Sequence, residues 1–237
     1  MGESLRNAVR LATEEINWKG GILGRPIELV ERDDEANPDK GRAHAQELID
    51  KAKVVATIGS CNTGVVLKTI DLYQKAKIPL LVPVATGVAI TTTYAKAPEH
   101  YIFRTSANDE IQAQLVAREA VERRRFKKVA VLHDTTAYGE QGKDFLLAEL
   151  TKYGVKPVSV SAFPLGVGDL TAALDKARKA GAEVILTYTV GPELAVIANG
   201  RARLGWKAPI IGSWPLSWTN SLGAAKGNAE GASMPQT

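Results

Sequence analysis

Between Val54 and Thr86 the chain reads VVATIGSCNTGVVLKTIDLYQKAKIPLLVPVAT. Val54 to Ile58 is, Thr57 apart, an apolar run of strand length, and such a run belongs to a strand covered on both faces. Thr63 to Lys75 then carries Val66, Ile70 and Tyr73 at helical spacing, and Ile78 to Val82 is a second apolar run. A strand, a helix and another strand in this order form a right-handed crossover in a parallel sheet, the strongest constraint this chain places on its fold. The polar loops Gly59 to Gly64 and Pro83 to Gly87 fall after the two strands. In open α/β sheets ligands bind at that carboxyl edge.

The alternation extends along the chain. Helical patterning covers Gly2 to Lys19, with Gly20-Gly21 as a stop, and Pro38 to Lys51, with Pro38 in the first turn. Pro26 to Asp33 reads as a strand between them. After an irregular stretch near 91–98, Tyr101 to Arg104 is a short strand. Helices then follow over Asp109 to Arg124, Tyr138 to Tyr153, Asp169 to Ala180 and Pro192 to Leu204. They alternate with strands over Lys128 to His133, Val155 to Phe163, Val184 to Tyr188 and Pro209 to Gly212. This pattern predicts parallel sheets with helices on both faces, in two units that divide near 91–108.

The strand-end loops supply the candidate site. Thr63 is read as the N-cap of its helix, whose first turn attracts an anion such as a carboxylate. Asn62 adds a donor, and Val84, Ala85 and Thr86 form a second small, polar loop beside it. In the second unit Tyr138 opens a helix after the strand ending at His133. Tyr188 and Ser213-Trp214-Pro215 close two further strands, with Trp214 and Trp218 suited to a pocket wall or to the core.

Other patterns point elsewhere. His133 beside Asp134 allows a catalytic pair, but a structural strand-end pair is the simpler reading. Asp33-Asp34-Glu35 lacks a second ligand cluster, so no metal is expected. Cys61 is the single cysteine, which excludes a disulfide framework, and no histidine stands near it in sequence to make it a nucleophile. Arg123 to Lys128 reads as a solvated helix end. The net charge of +4, from 30 basic and 26 acidic residues, is too dispersed for nucleic acid. No phosphate-binding glycine motif occurs, so no nucleotide cofactor is expected, and no apolar run is long enough to span a bilayer.

The segment GESLRNAVRLATEEINWKGGILGRPIELVERDDEANPDKG, with IGSCNTG, IPLLVPVAT, YIFRTSANDEIQ, VAVLHDTTAYGEQG and GNAEGA in this order, resembles the type I periplasmic solute-binding proteins of ABC transporters. The branched-chain amino-acid binding type is the nearest group. The resemblance covers nearly the whole chain. It implies an α/β, two-lobed fold in which each lobe is a parallel sheet with helices on both faces and the lobes close on a small solute. Residues 1–103 would form the first lobe, joined by a returning tail at 229–237, and 104–228 the second. It implies that Thr63, with Asn62 nearby, and Ala85 and Thr86 hold the solute's carboxylate and that Tyr138 closes from the second lobe. Val84, Tyr188 and Trp214 are the further candidate ligand-binding residues.

The implied protein is no enzyme and needs no cofactor. It is a monomeric, periplasmic or extracytoplasmic receptor whose partners are the solute and a membrane permease. By the same alignment, the export signal, the first strand and a C-terminal segment lie outside this sequence. One departure stands out. Amino-acid binders of this type place an acidic residue after the strand matching Pro209 to Gly212, and here Ser213-Trp214-Pro215 occupies that place, while Glu193 lies on another loop. The ligand is therefore left open between an amino acid, an amine-free aromatic or organic acid, and an amide. A ligand-sensing regulatory module on the same fold, and an α/β enzyme using His133 and Asp134, remain the alternatives.

Overall fold

The computed structural model describes residues 1–236, which fall into two compact units, one from Met1 to Ser106 and one from Ala107 onward.

The first unit contains α1 (Gly2–Trp18), α2 (Pro38–Asp50), β1 (Thr57–Ile58), α3 (Thr63–Ala76), β2 (Leu80–Val82), the short α4 (Ala89–Thr92) and β3 (Ile102–Arg104). Its strands are parallel in the order β1-β2-β3. The α3 stripe inferred from spacing is real: Val66, Ile70 and Tyr73 are buried, and they pack with Leu80, Val82, Ala85, Ile90 and Ile102 into one core. The opposite face of the sheet differs. Ile58, Leu81 and Phe103 stand in register across the three strands and are 50%, 38% and 44% exposed.

Two expectations are corrected here. Only Thr57 and Ile58 of the Val54–Ile58 run pair in the sheet, and Val55 is 89% exposed. Pro26 to Asp33 finds no strand partner among the described residues. It is tied instead to α1, through the Asn17 amide to both backbone groups of Ile27 and through Arg10 to Glu31. α1 itself buries none of its residues. An apolar run is only able to be buried; it needs a covering layer to become so.

The second unit contains α5 (Asp109–Ala117), continued by a wider π turn over Arg118–Arg123, then β4 (Val129–Asp134), α6 (Ala137–Lys152), β5 (Ser159–Phe163), α7 (Thr171–Lys179), β6 (Val184–Tyr188), α8 (Glu193–Arg203), β7 (Ile210–Gly212), a 3-10 turn (Trp214–Ser217) and α9 (Thr219–Ala225). All four strands are parallel, in the order β5-β4-β6-β7. β4 and β6 are buried along their whole length. Alternate residues serve opposite faces, as the pleat requires. Ala130, Leu132, Ile185 and Ile210 pack with α7 and α8, whereas Val129, Val131, Val184, Leu186 and Ile211 pack with α5 and α6.

The division falls after Ser106 rather than after residue 103, because the Thr105 amide bonds the Val82 carbonyl and the Ser106 hydroxyl bonds the Ala85 carbonyl. Among the described residues the tail lies against the second unit. Ser233 bonds backbone groups of Ile210 and Gly212 beside β7, and Ala229, Ala232 and Met234 pack on the α7–α8 core. The last residue assigned to that tail, Thr237, lies outside the described residues.

Candidate functional site

In the first unit the two predicted loops meet. Asn62, in extended conformation, is the N-cap of α3, so Thr63 sits one position inside the helix and is not the cap. The Asn62 side chain takes none of the amides that a helix leaves open in its first turn. The Thr63 hydroxyl is turned the other way and accepts the Gly87 amide at 3.2 Å. That bond joins the loop after β1 to the loop after β2. It also explains the glycine: a Cβ at position 87 would stand 2.4 Å from Thr63 Cγ2. Thr63, Ala85 and Thr86 are buried, while Asn62 and Val84 are half-buried. The result is a small-walled recess of hydroxyls and helix amides, with a partial positive charge from α3. It suits an anion.

In the second unit the β4 end is built around Asp134, which is fully buried. Its carboxylate accepts the Thr136 amide and hydroxyl on one oxygen and the Val190 amide on the other. It therefore fixes the start of α6 and the loop after β6. His133 directs Nδ1 at the Asp134 backbone carbonyl, 3.0 Å away, and Glu140 Oε1 lies 3.6 Å from the same nitrogen. Among the described residues the imidazole and the Asp134 carboxylate share no hydrogen bond.

Tyr138, on the first turn of α6, packs against Tyr188 with ring centroids 5.3 Å apart. The Tyr188 hydroxyl donates to the Asp109 carbonyl at 2.9 Å, and a Cβ on Gly142 would overlap its ring. Tyr188 is thus a core residue that backs Tyr138, with its hydroxyl already committed. Burial, then the neighbouring Tyr188 and Asp109, push the Tyr138 phenol well above its ordinary range, so it stays protonated. Its hydroxyl lies near that of Ser213, but neither completes a hydrogen bond among the described residues.

After β7, Trp214 crosses Trp218 edge-to-face at 5.3 Å, and its backbone amide donates to Gln112 Oε1. Both indole N–H groups are buried and find no acceptor among the described residues. A buried donor left without a partner costs about 1–3 kcal/mol. Ser213 and Gln112 carried no motif: each matters through side-chain placement, which spacing along the chain does not encode.

The remaining patterns are structural. Asp34 accepts the Ser60 hydroxyl at 2.7 Å, and no metal-holding cluster occurs among the described residues. Burial pushes the Cys61 thiol up to about 11, so it carries little thiolate at neutral pH. Arg123 and Arg124 pair with Glu119 at the end of their helix. No helix among the described residues is long and apolar enough to cross a membrane.

The model of a family described as periplasmic binding protein matches residues 1–237. The chain is 30% identical over 240 residues to Leu/Ile/Val-binding protein homolog 3 of Brucella melitensis, covering 98% of this chain and 64% of that protein. Among solved structures it resembles a type 1 periplasmic binding protein from Bordetella pertussis Tohama I, with a TM-score of 0.86 and 30% identity over 97% of this chain and 62% of that one. It also resembles an ABC-transporter solute-binding protein of Rhodopseudomonas palustris BisB5 in complex with 3,4-dihydroxybenzoic acid, with a TM-score of 0.77 and 27% identity over 89% and 57% of the two chains. The chain therefore spans a little under two thirds of the length of the proteins it matches.

Proposed function

We propose, from the premise that this chain belongs to the periplasmic binding protein family, that it is part of an extracytoplasmic receptor that binds a small carboxylate solute and presents it to the permease of an ABC importer. The observation that carries this reading is the Thr63–Gly87 bond, which joins two strand-end loops at the open first turn of α3. Hydroxyls, helix amides and a helix dipole together favour a carboxylate; the dipole adds about 0.3–1 kcal/mol, more where the site is dry.

In this reading Asn62, Thr63 and Thr86 donate to the carboxylate, and Val84 and Ala85 shape the recess. Tyr138 and Trp214 recognise the rest of the solute, with Tyr188 holding Tyr138 in place. The protein does no chemistry and acts as a monomer. Its output is a shift of population toward a solute-bound conformation. The ligands named for its relatives, branched-chain amino acids and a dihydroxybenzoic acid, share only the carboxylate. That shared group supports assigning the first-unit recess to it.

Titration calorimetry with a panel of small amino and aromatic acids tests the reading. Binding of at least one carboxylate is expected, and Thr63→Ala is expected to weaken it roughly 10-fold, the worth of one good hydrogen bond. If no carboxylate binds, or if Thr63→Ala and Thr86→Ala both leave affinity unchanged, the reading is wrong.

A further inference from the structure

The chain's excess of basic residues is gathered rather than spread. Residues 118–128, which continue α5 and lead into β4, hold six basic and two acidic side chains, a surplus equal to the net charge of +4 of the whole chain. All six, Arg118, Arg123, Arg124, Arg125, Lys127 and Lys128, are exposed. Glu119 pairs with both Arg123 and Arg124, and among the described residues the other four make no ion pair. Glu122 takes the Tyr153 hydroxyl at 3.3 Å. Glu183 lies beside the two lysines and accepts their backbone amides, and with it counted the basic groups still outnumber the acidic ones by six to three.

Local folding does not account for this surplus. Cations near a helix C-terminus are favoured by its dipole, but that end carries only about half a negative charge. The turn that closes the helix argues the same way. Arg125 stands at φ +59°, in the left-handed conformation that glycine adopts without steric cost. The helices α6, α7 and α8, which lead into the same edge of the sheet, are followed by Gly154, Gly181 and Gly205 at φ +68°, +78° and +59°. Before β4 the chain keeps an arginine where glycine would be easier.

We infer that residues 118–128 form an electrostatic docking surface for the anionic headgroups of a phospholipid membrane. A folded protein partner is met by apolar or aromatic anchors at the centre of the contact. Here Ala120, Val121 and Phe126 pack into the core of the second unit, so the segment shows charge without such an anchor. A layer of lipid phosphates needs only charge, and about four to eight clustered basic side chains attract it. Four of the six are arginines, whose planar guanidinium meets a phosphate with two parallel hydrogen bonds. The segment lies at the amino edge of the sheet, because it leads into β4, whereas Asp134, Tyr138, Tyr188 and Ser213 lie at the carboxyl edge. The six residues of β4 hold those edges roughly 17 Å apart. Docking at the first edge therefore involves none of the candidate loops and is independent of which solute binds there.

The test is co-sedimentation of the full chain with vesicles. At low salt, phosphatidylcholine vesicles containing roughly one-third phosphatidylglycerol should bind it at least about 10-fold more tightly than phosphatidylcholine alone. That difference should vanish near about 0.5 M salt, where charges are screened within a few ångströms. Arg125→Gly should weaken binding to the anionic vesicles roughly 5-fold, the worth of one cation near such a surface. Its unfolding temperature should stay the same or rise, which separates recognition from folding. Lys127→Ala with Lys128→Ala should weaken binding roughly 20-fold, and Lys96→Ala, an exposed lysine of the first unit, should leave it within about 2-fold. Equal binding to both kinds of vesicle would overturn the inference, as would parent-like binding by a variant lacking Arg125, Lys127 and Lys128 together. Displacement of the chain from the vesicles by poly-glutamate at an equal concentration of negative charge would also overturn it, in favour of an acidic protein segment.

Discussion

The two units follow one plan and achieve it to different degrees. In the second, β4 and β6 are buried along their length and each face of the sheet has its own core. In the first, one face packs on α3, whereas the row Ile58–Leu81–Phe103 on the other is exposed and α1 buries nothing. The first-unit strands are largely apolar too, so the difference lies in whether a second layer covers them. The candidate loops of each unit inherit it. The first-unit recess depends on a local stitch, Thr63 to Gly87, that needs only β1, β2 and α3. The second-unit loops are set by long-range contacts, such as Gln112 to Trp214 and Asp109 to Tyr188.

Four measurements break or sharpen this comparison. The largest effect is expected in native-state hydrogen exchange. Backbone amides of β4 and β6 should exchange more slowly than those of α1 and residues 26–33 by a factor of roughly 10³ or more, because the latter open locally without disturbing a core. Equal protection would show that the units are equally consolidated.

Next come paired truncations. Leu146→Ala, at a fully buried position of the second unit, should cost about 2–5 kcal/mol in denaturant unfolding. Leu81→Ala, on the exposed row, should cost about 1 kcal/mol or less. Similar losses would mean that the row is covered in solution.

Gly142→Ala probes the backing of Tyr138. A Cβ there would stand 1.9 Å from the Tyr188 ring, so a loss of about 1–3 kcal/mol is expected, with Tyr138 displaced and the solute bound more weakly. A variant of unchanged stability and affinity would show that the ring shifts freely.

The smallest effect concerns acid. The Asp71 carboxyl is held below its ordinary range, first by the hydrogen bond from Arg42 and then by that residue's charge. Its folded pKa lies below its unfolded one, so its contribution is present above the unfolded value and is lost as pH falls through the folded value. Asp71→Asn should therefore lower the first unit's stability slightly near pH 7 and flatten its acid limb, with the difference from the parent vanishing at low pH. A neutral-pH change in the second unit would contradict the assignment.

Much of this was legible along the chain. The α3 stripe, the β4 and β6 runs and the positions of every strand-end loop follow from spacing. The meeting of the Thr63 and Thr86-Gly87 loops follows from two adjacent parallel strands. Other features were not legible. The capping role passed from Thr63 to Asn62, because the hydroxyl had a better partner in Gly87 across the sheet. Tyr188 looked like a strand-end ligand group, yet its hydroxyl is spent on Asp109, far away in sequence. Pro26 to Asp33 has strand patterning and no strand partner among the described residues.

The sequence by itself determined the order and type of most elements, the parallel α/β class and the small, polar character of the loops after the strands. Those properties depend on periodicity and turn residues, which act over a few positions. Only the tertiary structure decided which apolar runs are buried, which hydroxyls are already taken and which donors stand together without acceptors. Burial and hydrogen-bond pairing are properties of two surfaces brought into contact, and the second surface is supplied by residues distant in the chain.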